Sequence, residues 1–274
     1  MLNLKQIKVY RFRGKERCEN SLLPTSNSRL RSKNQHGVQS PFVYDLVTQC
    51  FYDRKKHPAY AQLKAYRTYL RSNTTTLTVT DLGVGSRVKN GTSRRVSELA
   101  KNAGTTKHRA KLLYRLVHYF QFKNSLELGT SLGIATQAIH LGNPKGNITS
   151  IEGCPNISEF TLNTWRAFNI TNSQLINGNF DDLTKTLTTN TYDLIYFDGN
   201  HQKEATLNYF ETLLPTTTNT SVFIFDDIYW SKGMTEAWQL IKQHPKVTVT
   251  IDTFFWGIVF FRKEQAKEHF TIRV

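Results

Sequence analysis

Ser125-Leu126-Glu127-Leu128-Gly129-Thr130-Ser131-Leu132-Gly133 reads as a strand, a glycine turn and the start of a helix. Gly129 and Gly133 carry no Cβ, so the chain can turn tightly there and a ligand can approach the backbone closely. The helix that follows opens with free N–H groups, which favour a carboxylate. Glu127 offers a carboxylate of its own to an ammonium group. A purely structural turn would explain these residues as well, so the flanking segments decide between the two.

Downstream, short apolar runs alternate with amphipathic stretches. The runs are Ser125–Leu128, Ile148–Ile151, Gln174–Ile176, Tyr192–Phe197 and Ser221–Phe225. Between them lie helix-like segments at Ile134–Leu141, Ile157–Phe168, Lys203–Leu214 and Met234–Gln243. Parallel strands joined by crossover helices are the expected outcome. Val247–Ile251 and Phe255–Phe261 then read as a closing antiparallel pair. Glu152 ends the second strand, 25 residues after Glu127. In nucleotide-binding α/β folds an acid at that place bonds the ribose hydroxyls. Asn177-Gly178-Asn179-Phe180 follows the third strand, where Asn179 and Phe180 can bracket an adenine. The chain has no G-x-G-x-x-G, which counts against NAD, and no G-x-x-x-x-G-K-[ST], which removes a nucleotide triphosphatase.

Upstream the texture differs. Residues 1–30 read as a loosely ordered basic tail, with six Lys/Arg by position 17. Ser40-Pro41 suits a helix start, and Phe42, Leu46, Val47, Cys50 and Phe51 recur at helical spacing. A second helix is predicted from Pro58 to Leu70 with Ala61, Ala65 and Tyr69 on one side. Leu77–Val79 reads as a short strand, and helices are expected at Ser93–Asn102 and Lys107–Phe120. A rival glycine motif, Asp81-Leu82-Gly83-Val84-Gly85-Ser86, lacks the downstream acid and strand that a nucleotide site needs. His36, Ser40, Asp81, Ser86 and Arg87 are polar residues that could line an acceptor pocket. The pair of helices around Gly104 loosely resembles a helix-turn-helix, with Lys107, His108, Arg109 and Lys111 on its second member.

The formal net charge of +15 is carried by one half of the 274 residues. Residues 1–122 hold 24 Lys/Arg against 6 Asp/Glu, whereas residues 123–274 hold 12 against 15. Such asymmetry points to an anionic partner for the first half or to a solvated, solubilising face. No apolar run approaches the ~20 residues of a membrane span, and the basic N-terminus lacks the apolar core of a secretory signal. Cys18, Cys50 and Cys154 are scattered and form no C-x-x-C, so a disulfide framework or zinc site is not expected and a reducing cytoplasm is the simpler setting.

With these motifs in place, residues 123–262 resemble the class I S-adenosylmethionine (SAM)-dependent methyltransferases. The resemblance is closest to the O-methyltransferase branch that includes the catechol and caffeoyl-CoA enzymes. Beyond the glycine motif it rests on Tyr192-Asp193-Leu194-Ile195-Tyr196-Phe197-Asp198-Gly199-Asn200-His201. It rests also on Val222-Phe223-Ile224-Phe225-Asp226-Asp227-Ile228-Tyr229-Trp230. The resemblance implies an α/β, Rossmann-like, doubly wound seven-strand sheet over 123–274. Ahead of it would stand a tail (1–30) and a mainly helical, basic accessory or lid region (31–122). It implies a SAM site made by Glu127, Gly129, Thr130, Ser131, Gly133, Glu152, Asn179, Phe180 and Asp198. Asp198, Asp226 and His201 would then be the catalytic residues. In that branch the two strand ends bind a divalent metal through an acid and an Asp-Asn pair. Here Asp227 replaces the Asn, so Asp198, Asp226 and Asp227 could hold Mg²⁺ or act without a metal as base and acceptors. A small-molecule oxygen acceptor is the expected substrate, and no N-P-P-Y-like motif follows the fourth strand. The alternatives are an RNA methyltransferase that grips phosphates with the basic half, and a non-catalytic nucleic-acid-binding protein on the same scaffold. Assembly as a homodimer is left open.

Overall fold

Leu194–Phe197 and Val222–Phe225 are apolar at every position, as strands buried on both faces require. The structure, a computed structural model, describes residues 38–80, 92–102 and 104–274. The first described helix is α1 (Pro41–Asp45), which runs on as a π-helix over Leu46–Phe51. Then come α2 (Ala59–Ser72), β1 (Thr76–Val79), β2 (Thr92–Arg95), α3 (Val96–Asn102) and α4 (Lys107–Phe120). The alternating part follows with β3 (Asn124–Leu128), α5 (Ile134–Gly142), β4 (Asn147–Glu152), α6 (Pro155–Ala167) and β5 (Ser173–Asn177). It continues through α7 (Phe180–Thr186), β6 (Leu194–Phe197), α8 (Lys203–Leu213), β7 (Val222–Asp226) and α9 (Lys232–Gln243). The chain closes with β8 (Val249–Asp252), β9 (Trp256–Phe260) and β10 (Glu268–Thr271).

The large sheet has eight strands in the order β10-β8-β9-β7-β6-β3-β4-β5. Strands β3 to β7 are parallel to their neighbours, and β9 runs antiparallel between β7 and β8. The first seven strands realise the expected doubly wound sheet. The eighth, β10, adds parallel to β8 at the edge and was not anticipated. From β3 the chain steps outward to β4 and β5, then returns to the other side of β3 with β6. Winding reverses there, and open α/β sheets bind ligands in the crevice at such a reversal.

Period-two alternation sorts each strand's side chains between two helical layers. Leu194, Tyr196, Val222 and Ile224 join one apolar cluster with Val43, Leu46, Leu63, Leu113, Leu116 and Ile139 from α1, the π-helix, α2, α4 and α5. Ile195, Phe197, Phe223 and Phe225 join the other with Tyr209, Phe210 and Leu213 of α8 and Trp238 and Ile241 of α9. The helices ahead of residue 123 therefore share a core with the sheet. Among the described residues no helix is long and apolar enough to cross a membrane.

Several expectations need correction. Thr92–Arg95 is a strand, not the start of a helix, because it pairs antiparallel with Thr76–Val79. The buried face of α2 is Ala59, Leu63, Tyr66 and Leu70, not the Ala61–Ala65–Tyr69 side, since the larger apolar groups win the core. Ser40 does cap α1, accepting from the Val43 N–H at 3.4 Å, with Pro41 in the first turn. The tail, His36, and the rival motif with Asp81, Ser86 and Arg87 lie outside the described residues. The second helix of the supposed helix-turn-helix, α4, buries Ala110, Leu112, Leu113, Leu116 and Val117, which leaves no free recognition face.

Candidate active site

The glycine turn links β3 to α5 with Gly129 at φ +103°, Ser131 at +47° and Gly133 at +71°. At Gly129 a Cβ would lie 2.3 Å from the Asp198 carbonyl oxygen. The glycine is thus demanded by the backbone of the β6 end, not by a ligand as the sequence suggested. At Gly133 a Cβ would lie 2.4 Å from Trp165 Nε1 and 2.9 Å from the Tyr66 hydroxyl, so this glycine lets α5 dock against α6 and α2. Thr130 is buried, its hydroxyl 2.5 Å from that of Ser150.

Glu127 is wholly buried. Its Oε2 accepts from the hydroxyls of Thr136 and Ser150, the latter at 2.6 Å. Oε1 has no partner. Burial pushes the carboxyl up to about 7, the two hydroxyl donors opposing and nearby Glu152 assisting. Glu152, at the end of β4, accepts from the Ser131 N–H through Oε2 and from the Cys154 N–H through Oε1, both at 2.8 Å. It therefore shapes the glycine turn as well as facing the crevice. Asn179 caps α7, its side chain accepting from the Asp181 N–H at 3.0 Å. Phe180 packs edge-on against Tyr209 with ring centres 5.9 Å apart, over Gly199 beside the turn.

The ends of β6 and β7 bring Asp198, Asp226 and Asp227 together, and sequence reasoning missed what holds them. Arg109, from the first turn of α4, donates through Nη1 to both Asp226 oxygens at 2.8 and 3.0 Å. Its Nη1 and Nη2 also reach Asp227 Oδ1, each at 3.2 Å. The guanidinium lies 4.8 Å over the Phe255 ring, a cation–π contact. Burial alone would lower the Arg109 pKa; the carboxylates of Asp226 and Asp227 more than offset it and raise it. Asp227 sits at φ +51°, a conformation that Asp tolerates better than most residues. Asp198 accepts from the Tyr196 hydroxyl at 3.3 Å. Its pKa stands well above the usual carboxylate range, first through burial and then through the Asp226 charge. Asp226 is raised too, by burial and by Asp227, with Arg109 opposing. His201 Nε2 stands 4.0 Å from Asp198 Oδ1. A Lys-His-Arg run at a helix start reads as a solvated surface, so only an acid-rich partner elsewhere could have flagged Arg109.

Residues 126–228 match a family model described as a methyltransferase domain. This segment is a methyltransferase domain. No curated protein matches the sequence significantly. Among solved structures, the chain is similar to the SAH-bound methyltransferase PaMTH1 of Podospora anserina. The two are 14% identical over 82% of this chain and 97% of the other, with a TM-score of 0.58. It is similar also to an O-methyltransferase of Bacillus cereus in complex with SAH, at 15% identity, 78% and 95% coverage and a TM-score of 0.53. A third likeness is to the O-methyltransferase TomG of Streptomyces achromogenes, in complex with SAM, at 14% identity, 79% and 95% coverage and a TM-score of 0.54. At these identities the likenesses establish the fold.

The methyltransferase domain offers a SAM-sized set of contacts: a turn open to close approach, an unpartnered buried acceptor on Glu127, and an acid at the β4 end. The residues present fit that cofactor. A divalent cation fits less well, because Arg109 already occupies the Asp226 and Asp227 oxygens. Among the described residues no group of three or more His, Cys, Asp or Glu could hold a metal. Beside the acids, an open cleft of about 410 Å³ is lined by His201, Lys203, Ser231, Lys232 and Glu236 among others. Trp230, 49% exposed, stands 6.4 Å from the His201 ring.

Proposed function

We propose that this chain is a SAM-dependent O-methyltransferase acting on a small-molecule acceptor in the cytoplasm. The observation that carries this reading is a juxtaposition. The backbone of Asp198, at the proposed reaction centre, packs against Gly129 of the proposed cofactor turn. The turn and the acids therefore open onto one crevice. In this reading the unpartnered Glu127 oxygen holds the cofactor's ammonium group, Glu152 its ribose hydroxyls, and Phe180 and Asn179 the adenine side. SAM supplies an electrophilic methyl on a sulfonium. The acceptor oxygen forms its bond to the methyl carbon as the carbon–sulfur bond breaks, and the hydroxyl proton must leave. Asp198 suits that last task, since a base with a raised pKa holds a proton near neutrality. His201 lies where it can pass the proton to solvent. A cleft of this size suits a small acceptor, and exposed Trp230 offers it an aromatic wall. The buried free thiols of Cys50 and Cys154 accord with a reducing compartment.

Calorimetry with SAM, followed by labelled-methyl transfer over hydroxyl-bearing metabolites, RNA and protein fractions, tests the reading. One SAM site per chain and label in the small-molecule fraction are expected. Label in RNA alone, or no SAM binding by folded protein, would overturn it.

A further inference from the structure

We infer that Arg109 is the built-in counter-cation of the acid cluster, a positioning residue that fills the place a divalent metal would need and keeps Asp226 and Asp227 in one fixed arrangement beside Asp198. The inference deepens the methyl-transfer reading and rests on it for its activity arm only.

Three observations carry it. The first is contact: a single guanidinium meets three oxygens of Asp226 and Asp227 at 2.8–3.2 Å. A metal at that place would have to displace Arg109 or share its oxygens with it, and like charges at such range repel strongly. The second is preorganisation. Thr106 caps α4 by accepting from the Arg109 N–H at 3.3 Å. Phe255 stacks under the guanidinium, and Arg67 of α2 donates to the carbonyl of Thr105. The side chain therefore reaches the acids from a braced helix start and not from a mobile surface.

The third is the otherwise unfavourable location. The first turn of α4 carries Lys107, His108 and Arg109 and no acid, against the preference of a helix N-terminus for negative charge. Asp226 and Asp227, from a different layer, supply that negative charge through Arg109. The arrangement makes sense as one electrostatic unit. It also explains why Asp227 can stand at this corner without a metal to share.

The experiment reads metal binding and turnover separately. Mn²⁺ is titrated into the full-length protein and into Arg109→Ala and Arg109→Lys, with binding followed by electron paramagnetic resonance. The native protein should show no saturable site at about 10⁻³ M or tighter, the weak end of oxygen-ligand sites. Arg109→Ala should gain one site, because it frees carboxylate oxygens, and Arg109→Lys should not. In the transfer assay, native activity should survive chelation. Arg109→Ala should lose kcat at least tenfold with SAM affinity little changed, and Arg109→Lys should recover part of it. Saturable Mn²⁺ binding by the native chain, with activity lost on chelation, would overturn the inference even if Arg109→Ala failed to fold. So would an Arg109→Ala protein that neither binds Mn²⁺ nor differs in kcat. If neither native nor variant chain transfers methyl groups, the resonance result still decides the charge assignment, and the failure falls on the functional reading.

Discussion

Glu127 answers to two demands that pull in opposite directions. Its burial favours the neutral acid, raised to about 7, while an ammonium ligand needs the carboxylate. The unfolded chain would ionise it near 4.5. Between these values the folded state binds more protons than the unfolded one, so stability should fall as pH rises from about 4.5 to 7. The penalty, on the order of 3 kcal/mol, is fully present above that window. Glu127→Gln should therefore flatten the pH dependence of urea unfolding and raise stability at pH 8. It should also weaken SAM by about 10–100-fold through loss of a charged hydrogen bond. A variant with unchanged affinity would remove Glu127 from the cofactor site. Asp198→Asn is expected to lower kcat by about 10²–10⁴-fold at neutral pH, and in the native enzyme the rate should fall as pH drops through the raised Asp198 value. A flat pH–rate profile would speak against Asp198 as base. Glu127, Glu152 and Asp198 were legible because each ends a strand whose apolar run is unmistakable. Arg109 was not, since its partners lie 117 and 118 residues away and nothing local marks it. The reason for Gly129 was also hidden, because the atom it avoids belongs to a strand end far along the chain.

At the scale of elements, the glycine turn and the added edge strand make separable predictions. Gly129→Ala should cost about 2–4 kcal/mol in denaturant unfolding, combining strain at positive φ with a backbone clash. Loss of SAM binding by a folded Gly129→Ala protein with native stability would contradict this. Strand β10 covers the β8 edge and brings Phe270 and Ile272 into the core. Ile272→Ala should cost about 2–5 kcal/mol. A variant lacking residues 267–274 should expose the β8 edge and aggregate, as light scattering would show; a monomer of native stability would deny β10 that role. The parallel strands were readable in the sequence because all-apolar runs between amphipathic helices have few other uses. Strand β10, Glu-His-Phe-Thr, has a single buried apolar residue and no such signature. Thr92–Arg95 also looked helical because its pairing partner, not its composition, makes it a strand.

At the scale of the whole molecule, the basic region and the sheet are joined through one core. Val43, Leu46, Leu63 and Leu113 share a cluster with Ile224, Ile258 and Phe260. We propose that residues 38–122 form a fixed cover on one face of the sheet, with Arg109 as its contribution to the reaction centre. Far-ultraviolet dichroism and tryptophan emission should then report coincident unfolding transitions; two separated transitions would make the cover an independent domain. The division of charge was plain from the sequence, but its meaning was not. Counting residues cannot distinguish a surface that grips phosphates from one whose arginine is turned inward.

Trp230 gives the protein an optical handle. Of the four tryptophans, Trp165, Trp238 and Trp256 are almost fully enclosed, and only Trp230 is widely open to solvent, beside His201 at the rim of the cleft. A neutral collisional quencher such as acrylamide should therefore silence one emitter of the four. The spectrum that remains should shift to the blue, characteristic of indoles held in apolar surroundings. An acceptor resting against that ring would shield it, so the quenching slope becomes a titration of cleft occupancy that needs no label and no turnover.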